Sequence, residues 1–142
     1  MRGRGLLTWT MLLLATIGFF VAFYLTVEHY LGQVPVCSFL SGCEVVTTSE
    51  YATIGSIPIS LFGAGYFLSV WVSLLALAQT GRSVFLTTAG VLIAVGALVA
   101  ALLLYVQIFV LEAVCIYCAT SDSISLLLFV LFLVRWMRQR RA

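Results

Sequence analysis

Two pairs of cysteines carry the chemistry open to this sequence. Cys115-Ile116-Tyr117-Cys118 is a C-x-x-C motif, and Cys37 and Cys43 form a second pair with five residues between them. Cysteines three positions apart on a helix can reach disulfide distance, with Cα atoms about 4.4–6.8 Å apart. Such a bridge closes so small a loop that it adds little by loop-closure entropy. Redox sites use this spacing more often than structural staples do. At the start of a helix, the unpaired N–H groups and the helix dipole stabilise a thiolate, the form that attacks a disulfide. The motif therefore reads as redox-active.

The pair Cys37 and Cys43 lies in a stretch that Pro35 and Gly42 mark as loop. Taken alone, it fits a structural staple as well as a mobile shuttle. Beside a C-x-x-C on the same side of a membrane, the shuttle reading gains. A zinc site built from the four thiols fits poorly, because such sites pair two short C-x2–4-C knuckles and one spacing here is five. No metal is expected.

These pairs have to be held by elements suited to lipid. Of the 142 residues, 63% are hydrophobic and 8% charged, and the mean hydropathy is +1.20. Soluble domains run about 45–50% apolar and about 25% charged. Four apolar stretches, at about 6–27, 57–77, 84–110 and 117–134, are each near the ~20 residues that cross ~30 Å of hydrocarbon as a helix. The third is long enough to call for tilt or an extra turn. The first exceeds the apolar run of a signal peptide and lacks a small-x-small cleavage site. The expectation is one all-α integral membrane domain over 1–142, a four-transmembrane-helix bundle whose outer loop at about 28–56 bears Cys37 and Cys43.

Charge sets the orientation. The seven arginines fall at the N-terminus (Arg2, Arg4), between the second and third stretches (Arg82) and at the C-terminus (Arg135, Arg138, Arg140, Arg141). The five acids, Glu28, Glu44, Glu50, Glu112 and Asp122, fall at the opposite ends. By the positive-inside rule both termini are cytoplasmic and all four cysteines lie on the outer face, where disulfides persist. With no lysine and no basic patch, nucleic acid is not an expected partner.

Other residues divide between packing and chemistry. Asp122 lies one turn after Cys118, on the same helix face. An acid near the membrane is costly, so Asp122 reads either as a proton relay or as a group that reaches the aqueous rim. Gly63 and Gly65 let a helix or a planar ring come close, packing being the commoner use. His29 reads as an interfacial residue ahead of a proton carrier. Trp9, Trp71 and Trp136 fit interfacial anchors near the cytoplasmic face, and Glu50 and Glu112 fit solvated outer charges.

Taken together, these features resemble the vitamin K epoxide reductase family. The likeness rests on the cysteine pair after the first helix, on Ser49 six residues past Cys43, on Tyr51-Ala52-Thr53-Ile54-Gly55-Ser56-Ile57-Pro58-Ile59-Ser60-Leu61-Phe62-Gly63, and on Cys115-Ile116-Tyr117-Cys118 opening the fourth helix. It covers about residues 6–134. The order of the pairs separates it from the other quinone-linked disulfide-forming family, which carries its C-x-x-C in the first outer loop. The resemblance implies a relay from a partner's dithiol to Cys37, from Cys43 to Cys115 through an interloop disulfide, and from Cys118 to a quinone (menaquinone, ubiquinone or phylloquinone). It implies that Ser49 supports the thiolate or the quinone by hydrogen bonding. An apolar slot with few polar groups, which Cys118, Asp122 and Gly63 are expected to line, suits such a ring. Many bacterial relatives carry a thioredoxin-like domain behind the last helix. This chain ends at Ala142, so a separate thioredoxin-fold oxidoreductase on the outer side of a bacterial or archaeal plasma membrane is the expected partner. Where vertebrate members carry a tyrosine, this chain has Asp122, which counts against the epoxide as substrate.

Two rivals remain: a reductase whose purpose is the hydroquinone itself, and a small transporter with incidental disulfides. Coupled transport usually needs an ionisable residue deep in a span, and the second and third stretches hold none.

Overall fold

The computed structural model describes residues 2–37 and 42–141. Its elements are α1 (Arg2–Tyr30), the short α2 (Cys43–Thr47), a two-stranded antiparallel hairpin of β1 (Thr53–Ile54) and β2 (Ile57–Pro58), α3 (Ile59–Thr80), α4 (Ser83–Tyr105) and α5 (Ile116–Arg141). Among the described residues, four helices are long and apolar enough to cross a membrane: α1, α3, α4 with its continuation to Val110, and α5. The chain is thus an all-α, four-helix, multi-pass membrane protein.

The four long helices form a ring, α1 packing on α3 and α5, and α4 on α3 and α5. Bare hydrophobicity cannot hold them together, because lipid tails are as apolar as leucine; close packing has to do it. The residues show how. Gly18 on α1 lies under the Phe67 ring of α3, so that a Cβ there would come 2.5 Å from Phe67 Cε1. Gly90 on α4 takes the Phe132 ring of α5, where a Cβ would come 2.6 Å from Cζ, and Gly96 takes the ring of Tyr66. Three of the four helix pairs are therefore keyed by an aromatic ring seated over a glycine. Phe67, Met11, Val70, Leu74, Ala89, Ile93 and Leu128 fill the interior. Leu13, Phe20, Val91, Leu98, Leu127 and Val130 point outward, exposed, as a lipid-facing surface requires.

Neither Gly63 nor Gly65 serves a close helix–helix approach, the commoner use expected of them. A Cβ on Gly63 would sit at ordinary contact distance from Ala22, 3.6 Å, and one on Gly65 would meet nothing. Trp71 is partly buried against the core, so it packs inside the bundle instead of standing as a surface anchor, whereas Trp9 and Trp136 are exposed.

The turn between α3 and α4 is closed by Gly81 in the left-handed conformation, whose N–H bonds the Leu77 carbonyl. At the opposite end, the extra length of the third stretch is a π-helical turn, Val106–Val110. Glu112, exposed and at φ 50, then swings the chain into the segment leading to Cys115. The region between α1 and α3 is more ordered than its loop signals suggest. Cys43 opens α2, a 3-10 turn covers Glu50–Ala52, and Gly55 at φ 66 closes the hairpin. Ser38 to Ser41, part of the stretch read as flexible loop, lie outside the described residues.

Candidate functional site

The end of the bundle beneath α2 gathers all four cysteines. Cys37 and Cys43 are joined in a disulfide with Cα atoms 6.2 Å apart, and Cys115 and Cys118 are free thiols. Cys43 and Cys115 are buried together, at 2% and 0% exposure, in a small cluster with Val46. Cys37 is only partly buried. The sulfurs of Cys37, Cys43 and Cys115 all lie within 4.8 Å of one another. Three clustered sulfurs suggest a metal site at first glance, but two of them share a covalent bond and offer no thiolate. What the cluster does offer is a free thiol against a disulfide, the arrangement from which exchange proceeds.

The chain builds this contact from both sides. On the segment between α1 and α3, Gly42 packs on the backbone ahead of the C-x-x-C: a Cβ there would lie 2.5 Å from the Val114 carbonyl oxygen and 2.6 Å from its nitrogen. Glycine is what lets the two backbones meet. The Tyr117 hydroxyl donates to the Val36 carbonyl at 2.9 Å, tying the C-x-x-C to the residue before Cys37. Ser49 Oγ donates to Val46 O at 2.7 Å and Thr47 Oγ1 to Cys43 O at 2.6 Å, so both hydroxyls brace the end of α2.

On the inner side, Cys115 caps α5. Its carbonyl accepts the Ala119 N–H at 2.8 Å, and its sulfur accepts the Cys118 N–H at 3.5 Å, as a serine or aspartate oxygen would at an N-cap. The Cys118 thiol is the largest influence on Cys115; with the N–H groups of Cys118 and Tyr117 it outweighs burial and brings Cys115 from its ordinary 9.0 down to about 7. With Cys37 and Cys43 bonded, the thiolate absorbance of the wild type is expected to rise with a midpoint near pH 7. Cys118→Ala removes the largest cause, so the midpoint should move up toward 9.0; a wild-type midpoint already there would contradict the capping geometry.

A cavity of about 120 Å³ opens beside the thiols, bounded by α1, α2, α3, α4, α5 and the π-helical turn. Its walls are largely apolar, with Ala22, Leu25, Val46 and Leu103 among them, and its polar groups include Cys118, Gln107 and Asp122. Cavities near this size hold a single six-membered ring. Cys118, Asp122 and Gly63, expected from the sequence to meet at one slot, all line it, as does Ser49. Asp122 is buried at 8% exposure, which sets aside its reading as a group at the aqueous rim. His29 is exposed yet lines the cavity from the end of α1. Cys115 is not among the residues that line it.

Gln107 escapes a reading by charge. It is 3% exposed, its Oε1 accepts the Cys115 N–H at 3.1 Å, and its Nε2 donates to Asp122 Oδ2 at 3.2 Å. Its amide is uncharged, so the only signal in the sequence is a lone glutamine in so apolar a stretch.

A membrane bundle with a disulfide packed against a free C-x-x-C beside an apolar cavity fits a class, the integral membrane redox proteins. The chain belongs to the vitamin K epoxide reductase family, whose model matches residues 9–133. It is accordingly a membrane oxidoreductase, and members of this family act with quinones. A search of curated proteins finds no match.

Proposed function

We propose that this chain oxidises the dithiol of a thioredoxin-fold protein on the outer side of the membrane and passes the electron pair to a quinone, supporting disulfide formation. The observation that carries this reading is the Cys115 sulfur within 4.8 Å of both sulfurs of the Cys37–Cys43 disulfide, while Cys118 lines the apolar cavity. The outer location rests on the arginine and acid asymmetry of the sequence.

In this reading a partner thiolate attacks the sulfur of Cys37, the more exposed of the shuttle pair, and Cys43 leaves as a thiolate. The partner's second thiol releases Cys37 and closes the partner's disulfide. Cys43 then attacks Cys115 of a Cys115–Cys118 disulfide, freeing the Cys118 thiolate. Cys37 attacks Cys43 in turn, restoring Cys37–Cys43 and freeing Cys115. The observed pairing, with Cys37–Cys43 bonded and both C-x-x-C thiols free, corresponds to the end of that sequence. Re-forming Cys115–Cys118 then gives up two electrons and two protons. When bound in the cavity among Cys118, Asp122 and Gly63, a quinone supplies the acceptor for both. Ser49, on the cavity wall, shapes the site through α2.

The relay is tested by pairing cysteines in isolation. Mild oxidation by diamide of the Cys37→Ala, Cys118→Ala protein is expected to join Cys43 to Cys115, detected by non-reducing peptide mapping. The complementary Cys43→Ala, Cys115→Ala protein should stay unbridged. Efficient bridging of Cys37 to Cys118 in its place would reverse the order of the relay.

A further inference from the structure

Gln107 forms three hydrogen bonds that reach both halves of the site. Its backbone carbonyl accepts the Ala113 N–H at 3.0 Å, its Oε1 accepts the Cys115 N–H at 3.1 Å, and its Nε2 donates to Asp122 Oδ2 at 3.2 Å. It sits on the π-helical turn, a local geometry that recurs at functional sites. Gln107, Cys118 and Asp122 all line the same cavity.

The chemistry of these groups dictates the amide's orientation. A backbone N–H can only donate, so the amide must turn its oxygen to Cys115. Its NH2 must then face Asp122, which has to accept through Oδ2. In an apolar setting either group left without its partner is costly, so the three are held as a unit.

We propose that Gln107 is a positioning residue: by engaging Asp122 through Oδ2, it leaves Oδ1 as the oxygen that holds a proton toward the cavity. This rests on the quinone-reducing reading above. As the Cys115–Cys118 bond forms, two electrons and two protons leave the thiols. Asp122 Oδ1 releases one proton to the reduced acceptor and is reset by the proton that Cys118 gives up. The Cys115 proton passes to water, and the acceptor draws its second proton from water, so one disulfide and one quinol form. The titratable groups around Asp122 are Cys115 and Cys118 at its own end of α5, His29 from α1 and Tyr51 from the segment over the cavity. The parts of α3 and α4 lining the cavity contribute none.

The test compares Gln107→Glu, which keeps an oxygen for the Cys115 N–H but turns an acceptor toward Asp122, with Gln107→Leu, which removes both bonds. Retention of the Cys37–Cys43 disulfide on a non-reducing gel serves as the check on folding. The first readout needs no quinone: the infrared carboxyl band assigned through its loss in Asp122→Asn. The second is the pH profile of kcat with dithiothreitol and a short-chain ubiquinone analogue. Both Gln107 variants are expected to shift the band, displace the pH profile and lower kcat between about tenfold and a hundredfold, less than the full range of about a hundredfold to ten-thousandfold of acid–base assistance because Asp122 itself is kept. In an Asp122→Asn background, Gln107→Leu should displace the profile no further. A wild type active on the quinone, with band and profile unmoved in both variants, overturns the role of Gln107 alone. A wild type inactive on the quinone, with the band still shifted, overturns the quinone reading and the proton step with it.

Discussion

The Cys37→Ala and Cys43→Ala proteins are expected to lose oxidation of a thioredoxin-fold partner while keeping part of their activity with a small dithiol, and the Cys115→Ala and Cys118→Ala proteins to lose turnover with every reductant. The division follows from where the sulfurs lie. Cys37 and Cys43 form the bonded pair, with Cys37 partly exposed, so a folded partner meets them first. Cys118 lies on the cavity that a small dithiol can enter, and such a reductant bypasses the shuttle. The C-x-x-C admits no bypass, since the electron pair leaves from it. Removing a group that forms the covalent intermediate commonly costs a thousandfold or more, so a loss of at least about that size is expected for Cys115→Ala and Cys118→Ala. Steady-state rates with both reductants check this. Equal loss in all four proteins with small dithiols would contradict the relay order.

Gly42→Ala is expected to produce the second large effect, although it touches no sulfur. The added methyl would fall 2.5 Å from the Val114 carbonyl oxygen, against backbone that cannot rotate aside as a side chain could. Forcing volume into such a contact costs about 1–3 kcal/mol, and each 1.4 kcal/mol is tenfold in a population. The segment bearing Cys43 would therefore dock on Cys115 between about fivefold and a hundredfold less often. Partner-dependent turnover should fall by that factor while small-dithiol turnover changes little, because a small dithiol reduces the C-x-x-C without passing through Cys43. Comparing the two reductants on the purified variant decides it; an unchanged partner-dependent rate would mean that this contact does not limit exchange.

Much of the architecture was legible in the residues. The four spans follow from apolar runs that only a bilayer can accommodate, and the family resemblance rested on motifs between Cys37 and Cys118, within the residues 9–133 that the family model matches. The gathering of Cys118, Asp122 and Gly63 at one cavity was readable partly from helical periodicity, which puts Cys118 and Asp122 on one face. What escaped depends on contacts between distant segments. Gly42 carries the signal of a loop, yet its small size serves a contact with Val114 that local pattern does not reveal. Gly18, Gly90 and Gly96 look no different in sequence from Gly63 and Gly65, and only the opposing rings of Phe67, Phe132 and Tyr66 separate them. Gln107 is uncharged, and its importance arises from Cys115 and Asp122 being brought to either side of its amide.

The central claim is tested most directly by quinone reduction with the purified protein in detergent, supplied with a reduced thioredoxin-fold protein, wild type against Cys118→Ala. The account predicts that quinol and oxidised partner appear together in wild type, one for one, and that both vanish in Cys118→Ala. No turnover in a folded wild type across benzoquinone and naphthoquinone acceptors would contradict it.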